Sequence, residues 1–206
     1  MAGIAGRSFC SALALVLLSA MTAPASALPS VGAPAPQFSA ITTDGKPAKL
    51  SDFAGKLLVL EWSNKDCPFV RKHYSSGNMQ ATQAAIAKMG GAWIQIVSSA
   101  AGREGFVKAD EANALVKSEG AIVSAIILDP SGAIGHLFGA SATPHMFVID
   151  AEQTLRYMGA IDDRPSANPS SLNGATNYVL AAADSISAGR EVAVKETAAY
   201  GCSVKY

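Results

Sequence analysis

The sequence has few cysteines and no excess of charge of either sign. Its 16 basic residues balance 16 acidic ones, so the formal net charge is zero. Proteins that bind nucleic acid or an anionic membrane surface usually carry a clear positive excess, so this balance argues against both kinds of partner. Long apolar runs are also missing after residue 27, and we therefore expect no membrane span once the first segment is removed.

The first 27 residues have the composition of a secretory signal peptide. One positive charge, at Arg7, precedes the apolar segment SALALVLLSAM, and Ala25-Ser26-Ala27 supplies the small residues of a cleavage site. The apolar segment is shorter than the ~20 residues that span a bilayer, so a retained anchor is the weaker interpretation. We expect an exported, periplasmic or secreted protein whose mature chain, residues 28–206, is one domain with a cysteine-containing C-terminal tail.

Composition and periodicity predict an α/β fold. Half of the residues are hydrophobic (50%) and 16% are charged, as in a typical globular domain. Apolar strand segments alternate with helical segments, and Asp44-Gly45 marks the turn of an N-terminal hairpin. These features predict a central mixed β-sheet flanked by helices, with an N-terminal β-hairpin extension. The predicted strands are 57–62, 93–97, 121–129, 146–150 and 154–161, and the predicted helices begin at Pro68, Met79, Phe106 and Asn177.

The mature chain keeps two cysteines, because Cys10 leaves with the signal peptide. One of them, Cys67, follows a predicted strand in the segment SNKDCPFVRKHY. Proline is favoured at the first position of a helix, so Pro68 predicts that Cys67 is the N-cap residue. Free backbone N–H groups and the helix dipole would stabilise a thiolate there, and Arg71 would add positive charge. We interpret Cys67 as a reactive thiol, with an inert cysteine packed at a strand end as the alternative.

The segments LEWSNKDCPFVRKHY and ATPHMFVID together resemble the thioredoxin-fold redoxin group, and most closely the alkyl hydroperoxide reductase and thiol-specific antioxidant (peroxiredoxin-like) family. The resemblance extends from Val31 to the end of the chain. It implies a thioredoxin-like fold in which Cys67 attacks, Pro144 is a cis-proline that faces it, and Thr143 offers backbone groups to a substrate. The implied function is that of a thiol-dependent redox enzyme, a peroxidase or a disulfide reductase, that uses no cofactor.

Two departures from the family pattern bear on the reaction. Val70 stands where a thioredoxin has its second cysteine, so no local CxxC disulfide can form. Asn64 stands where a typical peroxiredoxin has threonine or serine, although its amide can still donate to a thiolate or a peroxide. The expected partners are a peroxide or protein disulfide and a thiol electron donor. The residues expected to bind the substrate are Asn64, Pro68, Arg71, Thr143 and Pro144.

Cys202, in the terminal segment GCSVKY, is the expected resolving thiol. An attacking cysteine becomes a sulfenic acid or a mixed disulfide, and Cys202 is the other mature cysteine that can resolve it. A structural disulfide between the two is the alternative, worth about 5 kcal/mol in the chain-entropy model, in a redox-inactive interaction module. A copper carrier is a third interpretation. The soft or borderline ligands that suggest it are Cys67, Cys202, His73, His136, His145 and Met146.

Overall fold

The structure is a computed structural model that describes residues 1–3 and 28–206. The features of the predicted signal peptide lie outside these residues. The strands are β1 (Ser39–Ile41), β2 (Pro47–Lys49), β3 (Leu58–Trp62), β4 (Ala92–Val97), β5 (Ala125–Leu128), β6 (Ala142–Thr143), β7 (His145–Ile149), β8 (Leu155–Gly159) and β9 (Cys202–Ser203). The helices are α1 (Pro68–Ser75), α2 (Asn78–Lys88), α3 (Ala109–Glu119), α4 (Ala133–Phe138) and α5 (Tyr178–Ser187).

The central sheet has five strands in the order β5-β4-β3-β7-β8. Strands β3, β4 and β5 are parallel, whereas β7 is antiparallel to both of its neighbours. Strands β1 and β2 form a separate antiparallel hairpin. The predicted mixed sheet and the predicted N-terminal hairpin are therefore both confirmed.

Both faces of the sheet are buried, which explains why β3 is apolar at every position except Glu61. Leu58 and Leu60 of β3 belong to the core on one face, together with Phe138 of α4. Val59 belongs to the core on the other face, where Val70 of α1 also packs. Burying one such side chain stabilises the fold by roughly 1.5–3 kcal/mol. The end of β3, from which the Cys67 loop starts, is thus held rigidly between two cores.

The sequence pattern does not predict α4 or the pairing of β6 with β9. Helix α4 has only 6 residues, and β6 and β9 have 2 each, so none of them is long enough to show a periodicity. Strand β5 begins at Ala125 rather than at residue 121, because residues 121–124 form the connection from α3. Within residues 1–3 and 28–206, no helix combines the length and the apolar composition that crossing a membrane requires.

Candidate active site

Cys67 lies between β3 and α1. It is the N-cap residue of α1, in an extended conformation (φ −71°, ψ 121°), and Pro68 is the first helical residue. The backbone N–H of Cys67 donates to the carbonyl of Asn64 at 3.1 Å, and its carbonyl accepts the N–H of Arg71 at 3.0 Å. These bonds fix the backbone on both sides of the cysteine. Its side chain is fully buried, at 0% exposure.

A short strand pair brings Cys202 to Cys67. Strand β9 runs antiparallel to β6, with Cys202 opposite Thr143. The backbone N–H of Cys202 donates to Cys67 Sγ, with the nitrogen 3.4 Å from the sulfur, and the Cys67 thiol donates to the carbonyl oxygen of Thr143 at 3.1 Å. The peptide bond between Thr143 and Pro144 is cis. Both cysteines are free thiols, and together with Thr143 they form one contact cluster.

Gly201 allows the tail to approach so closely. Its φ of +137° lies in a region that favours glycine, and a Cβ atom at this position would overlap the carbonyl oxygen of Thr143. A larger residue at position 201 would therefore push Cys202 away from Cys67.

The surroundings of Cys67 favour its thiolate. Burial opposes ionisation, but hydrogen bonds from the Cys202 thiol, the Thr143 side chain and the Val70 backbone outweigh it, so the pKa of the Cys67 thiol is lowered. The pKa of Cys202 is raised to about 12, first by burial and then by the hydrogen bond to Cys67 and the charge on it. Cys67 is therefore the stronger acid, and the first nucleophile, of the pair.

Arg71 does not contribute to this effect in the way the sequence suggests. Its side chain is exposed, and its charge acts on Asp66. The pKa of Asp66 is lowered chiefly by its hydrogen bond with Lys65, and Arg71 adds a smaller part. The groups that lower the pKa of Cys67 are the hydrogen-bond donors around the sulfur, and Arg71 is not among them.

Asn64 is buried beneath the Cys67 loop. Its Oδ1 accepts the backbone N–H of Asp66 at 2.8 Å, while its Nδ2 has no hydrogen-bond partner among the described residues. Gly105 packs against the Asn64 amide so closely that a Cβ atom would overlap it. The Nδ2 amide of Asn64 is therefore a donor without an acceptor among the described residues.

A buried charged cluster joins α1 to the C-terminal tail. Lys72 Nζ lies 3.5 Å from Asp162 Oδ2, and both side chains are buried. The Tyr200 hydroxyl donates to Asp162 and accepts from Lys72 Nζ at 3.0 Å, and His73 Nε2 lies 3.3 Å from the same hydroxyl. Because the hydroxyl proton goes to Asp162, His73 donates from Nε2, and its Nδ1 accepts from Asn78 at 2.8 Å. Burial, and then the charge of Lys72, lower the pKa of His73 to about 4.

Sequence reasoning misses this charged cluster. Asp162 belongs to the polar segment Asp162-Asp163-Arg164, whose composition is typical of a solvated turn, yet Asp162 is only 2% exposed. Lys72 is separated along the chain from Asp162 by 90 positions and from Tyr200 by 128, so no local spacing reveals that they meet.

A second buried polar cluster surrounds Glu61 of β3. Its carboxylate accepts from the Tyr74 hydroxyl and from Trp93 Nε1, each at 2.9 Å. The amide of Gln95 donates to the Tyr74 hydroxyl at 2.9 Å. Burial raises the pKa of Glu61, although these hydrogen bonds oppose the change. A glutamate within the apolar strand LVLEW is the sequence signal that could have revealed this cluster.

The other two histidines are engaged in packing. His136 stacks on Tyr206, with 4.0 Å between the ring centroids, and His145 lies 4.5 Å from the ring of Phe147. His145 Nδ1 also accepts the backbone N–H of Ser141 at 3.3 Å. In the part of the chain that the structure describes, no group of three or more His, Cys, Asp or Glu side chains is arranged to hold a metal ion.

A mixed sheet, a cysteine at the start of the helix after its central strand, and a cis-proline loop that contacts this cysteine define a thioredoxin-fold redoxin. Residues 31–158 match the AhpC/TSA family, which is more than half of the chain. The chain therefore belongs to the AhpC/TSA family, whose members are by kind thiol oxidoreductases. A search of curated proteins finds no match. Cys202 lies outside the matched residues.

Solved structures share the fold. An uncharacterized conserved protein from Geobacillus kaustophilus is 23% identical with a TM-score of 0.74, over 86% of this chain and 92% of that chain. A hypothetical protein from Sinorhizobium meliloti 1021 is 24% identical with a TM-score of 0.72, over 86% of this chain and 94% of that one. A thiol:disulfide interchange protein from Bacteroides sp. is 16% identical with a TM-score of 0.51, over 71% and 88%. These likenesses confirm the predicted thioredoxin-like fold.

Proposed function

We propose that this protein is an exported thiol oxidoreductase in which Cys67 attacks the substrate and Cys202 resolves the product. One observation carries the proposal: the tail places Cys202 against Cys67, with its backbone nitrogen 3.4 Å from Cys67 Sγ. The lowered pKa of Cys67 and the raised pKa of Cys202 support the same order of action.

The first step is attack by the Cys67 thiolate on a disulfide. A bond forms between Cys67 Sγ and one substrate sulfur, the substrate S–S bond breaks, and the other substrate sulfur leaves as a thiolate. The Thr143 edge of β6 can pair with an extended segment, as its pairing with the tail strand illustrates, so a substrate segment would bind there by displacing the tail strand. Pro68 directly follows Cys67 in the chain, and Pro144 directly follows Thr143. An edge that can bind an extended chain favours a protein disulfide as the substrate. The reaction would then be thiol:disulfide interchange, the activity named for the structural neighbour from Bacteroides sp..

The second step is resolution by Cys202. Its thiolate attacks Cys67 Sγ and a Cys67–Cys202 disulfide forms. The bond between Cys67 Sγ and the substrate breaks, and the substrate sulfur that was bound to Cys67 leaves as a thiolate. A thiol electron donor then reduces the protein disulfide and returns two electrons. In this cycle the disulfide is an intermediate rather than a permanent structural bond.

Peroxide is a second candidate substrate, and the buried Nδ2 of Asn64 favours it because that donor has no hydrogen-bond partner among the described residues. Here the Cys67 thiolate attacks one peroxide oxygen, the O–O bond breaks, and the other oxygen leaves as an alcohol or water. Cys67 is left as a sulfenic acid. Condensation of this sulfenic acid with the Cys202 thiol releases water and gives the same disulfide.

The test uses the mature protein and its Cys67→Ser and Cys202→Ser variants, each mixed with a disulfide-bonded protein or with hydrogen peroxide. Cys67→Ser should lose all turnover, whereas Cys202→Ser should attack once and stop. Mass spectrometry should find a mixed disulfide or a sulfenic acid on Cys67 in the stalled variant. Turnover by Cys67→Ser, or a Cys67–Cys202 bridge that resists reduction until the domain unfolds, would contradict the proposal and favour a structural disulfide.

The export part of the proposal rests on residues 1–27 alone. Cleavage after Ala27 would give a mature chain that begins at Leu28 and forms one domain. Intact-mass measurement of protein secreted by its native host should show the loss of these residues. A full-length form confined to the cytoplasm would refute export without affecting the thiol chemistry.

A further inference from the structure

The C-terminal tail is anchored two residues before Cys202. The Tyr200 hydroxyl bonds to both Asp162 and Lys72, and its ring packs edge-on against Phe69, with the centroids 5.8 Å apart. His73 Nε2 adds a third polar contact at 3.3 Å. A tyrosine hydroxyl has one proton to donate and lone pairs to accept, so a carboxylate on one side and an ammonium on the other fit it well.

This anchor is connected to Cys202 by a very short piece of chain. Two residues span at most ~7 Å, so the position of Tyr200 restricts that of Cys202. Gly201, which connects Tyr200 to Cys202, lies directly against the carbonyl of Thr143, so its backbone position is also restricted.

A buried ion pair is a weak way to stabilise a fold, because the cost of desolvation offsets the attraction between the charges. What the Lys72–Asp162 pair supplies is a specific geometry, since it offers the tail one donor and one acceptor at fixed positions. Both side chains are fixed by the body of the domain, Lys72 on α1 and Asp162 after β8.

We infer that Tyr200 is a positioning residue for the resolving step: bound to Lys72 and Asp162, it holds Cys202 where it can attack Cys67. This inference rests on the proposed function and adds to it the residue that controls the second step. It predicts that the hydroxyl of Tyr200 matters more for resolution than for the first attack, because Cys67 obtains its position from β3 and α1 and depends on the tail only for the donors that Cys202 supplies.

The experiment separates the two steps with an aromatic disulfide reagent whose released thiolate is coloured. Attack by Cys67 releases one aromatic thiolate and leaves a mixed disulfide. Attack by Cys202 on Cys67 Sγ then releases the second aromatic thiolate and forms the protein disulfide. Stopped-flow absorbance should therefore show two phases for the reduced mature protein, and only the first for Cys202→Ser.

Tyr200→Phe keeps the ring and removes only the hydroxyl. Its second phase should slow by at least about tenfold, since a hydrogen bond to a charged group contributes a factor of this size. Its first phase should slow by less than the second, because displacement of Cys202 removes donors that lower the pKa of Cys67 but leaves the position of Cys67 unchanged. This smaller response of the first phase distinguishes positioning from a general loss of stability, which would not slow resolution selectively.

Tyr178→Phe is the matched control, because Tyr178 is also half-buried and its hydroxyl makes no hydrogen bond within residues 28–206. Both of its phases should be unchanged. Phe69→Leu loosens the packing of the Tyr200 ring while keeping the hydroxyl, and should slow the second phase in the same direction. An unchanged second phase in Tyr200→Phe, or equal slowing of both phases, would overturn the inference. A missing second phase in the unsubstituted protein would instead refute the proposed function.

Discussion

Protonation of His145 should destabilise the protein at mildly acidic pH. The side chain is only 8% exposed, packs against Phe147, and accepts the backbone N–H of Ser141 at Nδ1. Burial lowers the pKa of His145 to about 4, from an ordinary value of 6.5. A proton on Nδ1 would remove the acceptor for Ser141 and place a charge in a buried site.

The sign and size of the effect follow from these two pKa values. Because the pKa is lower in the folded protein, the unfolded chain binds the extra proton between pH 6.5 and about 4. The free energy of unfolding is therefore fully retained above this window and decreases as the pH falls through it. The pKa difference of roughly 2.5 corresponds to a loss of about 3 kcal/mol once the pH is below both values.

Urea unfolding of the reduced protein at several pH values should measure this loss. His145→Asn is the matched variant, because the asparagine Oδ1 can accept the Ser141 N–H but does not titrate. The pKa of His73 is also lowered to about 4, so the acid loss of the unsubstituted protein contains both histidines. The difference between the two proteins isolates His145. Parallel curves of unfolding free energy against pH would refute the reasoning.

Two further predictions concern the tail and the Glu61 cluster. Gly201→Ala should release the tail and speed alkylation of Cys202, because the added Cβ atom would overlap the carbonyl of Thr143. Gly174→Ala is the control: Gly174 has a φ of +68°, and a Cβ atom there would meet no other atom within 4 Å, so the alkylation rate should not change. Equal rates in the two variants would contradict the prediction. The indole of Trp93 donates to Glu61, so the fluorescence of Trp93 should change with pH as Glu61 is protonated, with a midpoint above pH 4.5 because burial raises the pKa of Glu61. A midpoint at or below pH 4.5 would contradict this effect of burial.

The sequence predicts the fold well because its signals are local. The apolar run of β3, the proline after Cys67 and the Asp44-Gly45 turn each act within a few residues, and the structure has a strand, a helix start and a hairpin at these places. The mixed sheet follows from the same segments. The short elements escape prediction because a pair of 2-residue strands has no period to detect.

The site is predictable only in part because its members come from distant segments. The interpretation of Cys67 begins with its neighbours Pro68 and Arg71, yet the donors that lower its pKa include Thr143 and Cys202. These two residues follow from the resemblance to a family and from the count of cysteines, rather than from any spacing. Neither the family resemblance nor the cysteine count indicates that Tyr200 bonds to Lys72 and Asp162. Polar residues on a helix and in a loop are most often solvated, so their burial is not expected.

The two thiols titrate in the order that a two-step exchange needs. In the reduced protein a larger fraction of Cys67 than of Cys202 is present as the thiolate, because the pKa of Cys67 is lowered. Burial and the interaction with Cys67 raise the pKa of Cys202 to about 12. Once Cys67 has formed a bond to the substrate it no longer carries a negative charge, so two of the causes that raise the pKa of Cys202 disappear. Burial and the charge of Glu104 remain as causes that raise it. In the proposed cycle, the first attack therefore makes Cys202 more acidic at the moment when its thiolate is required.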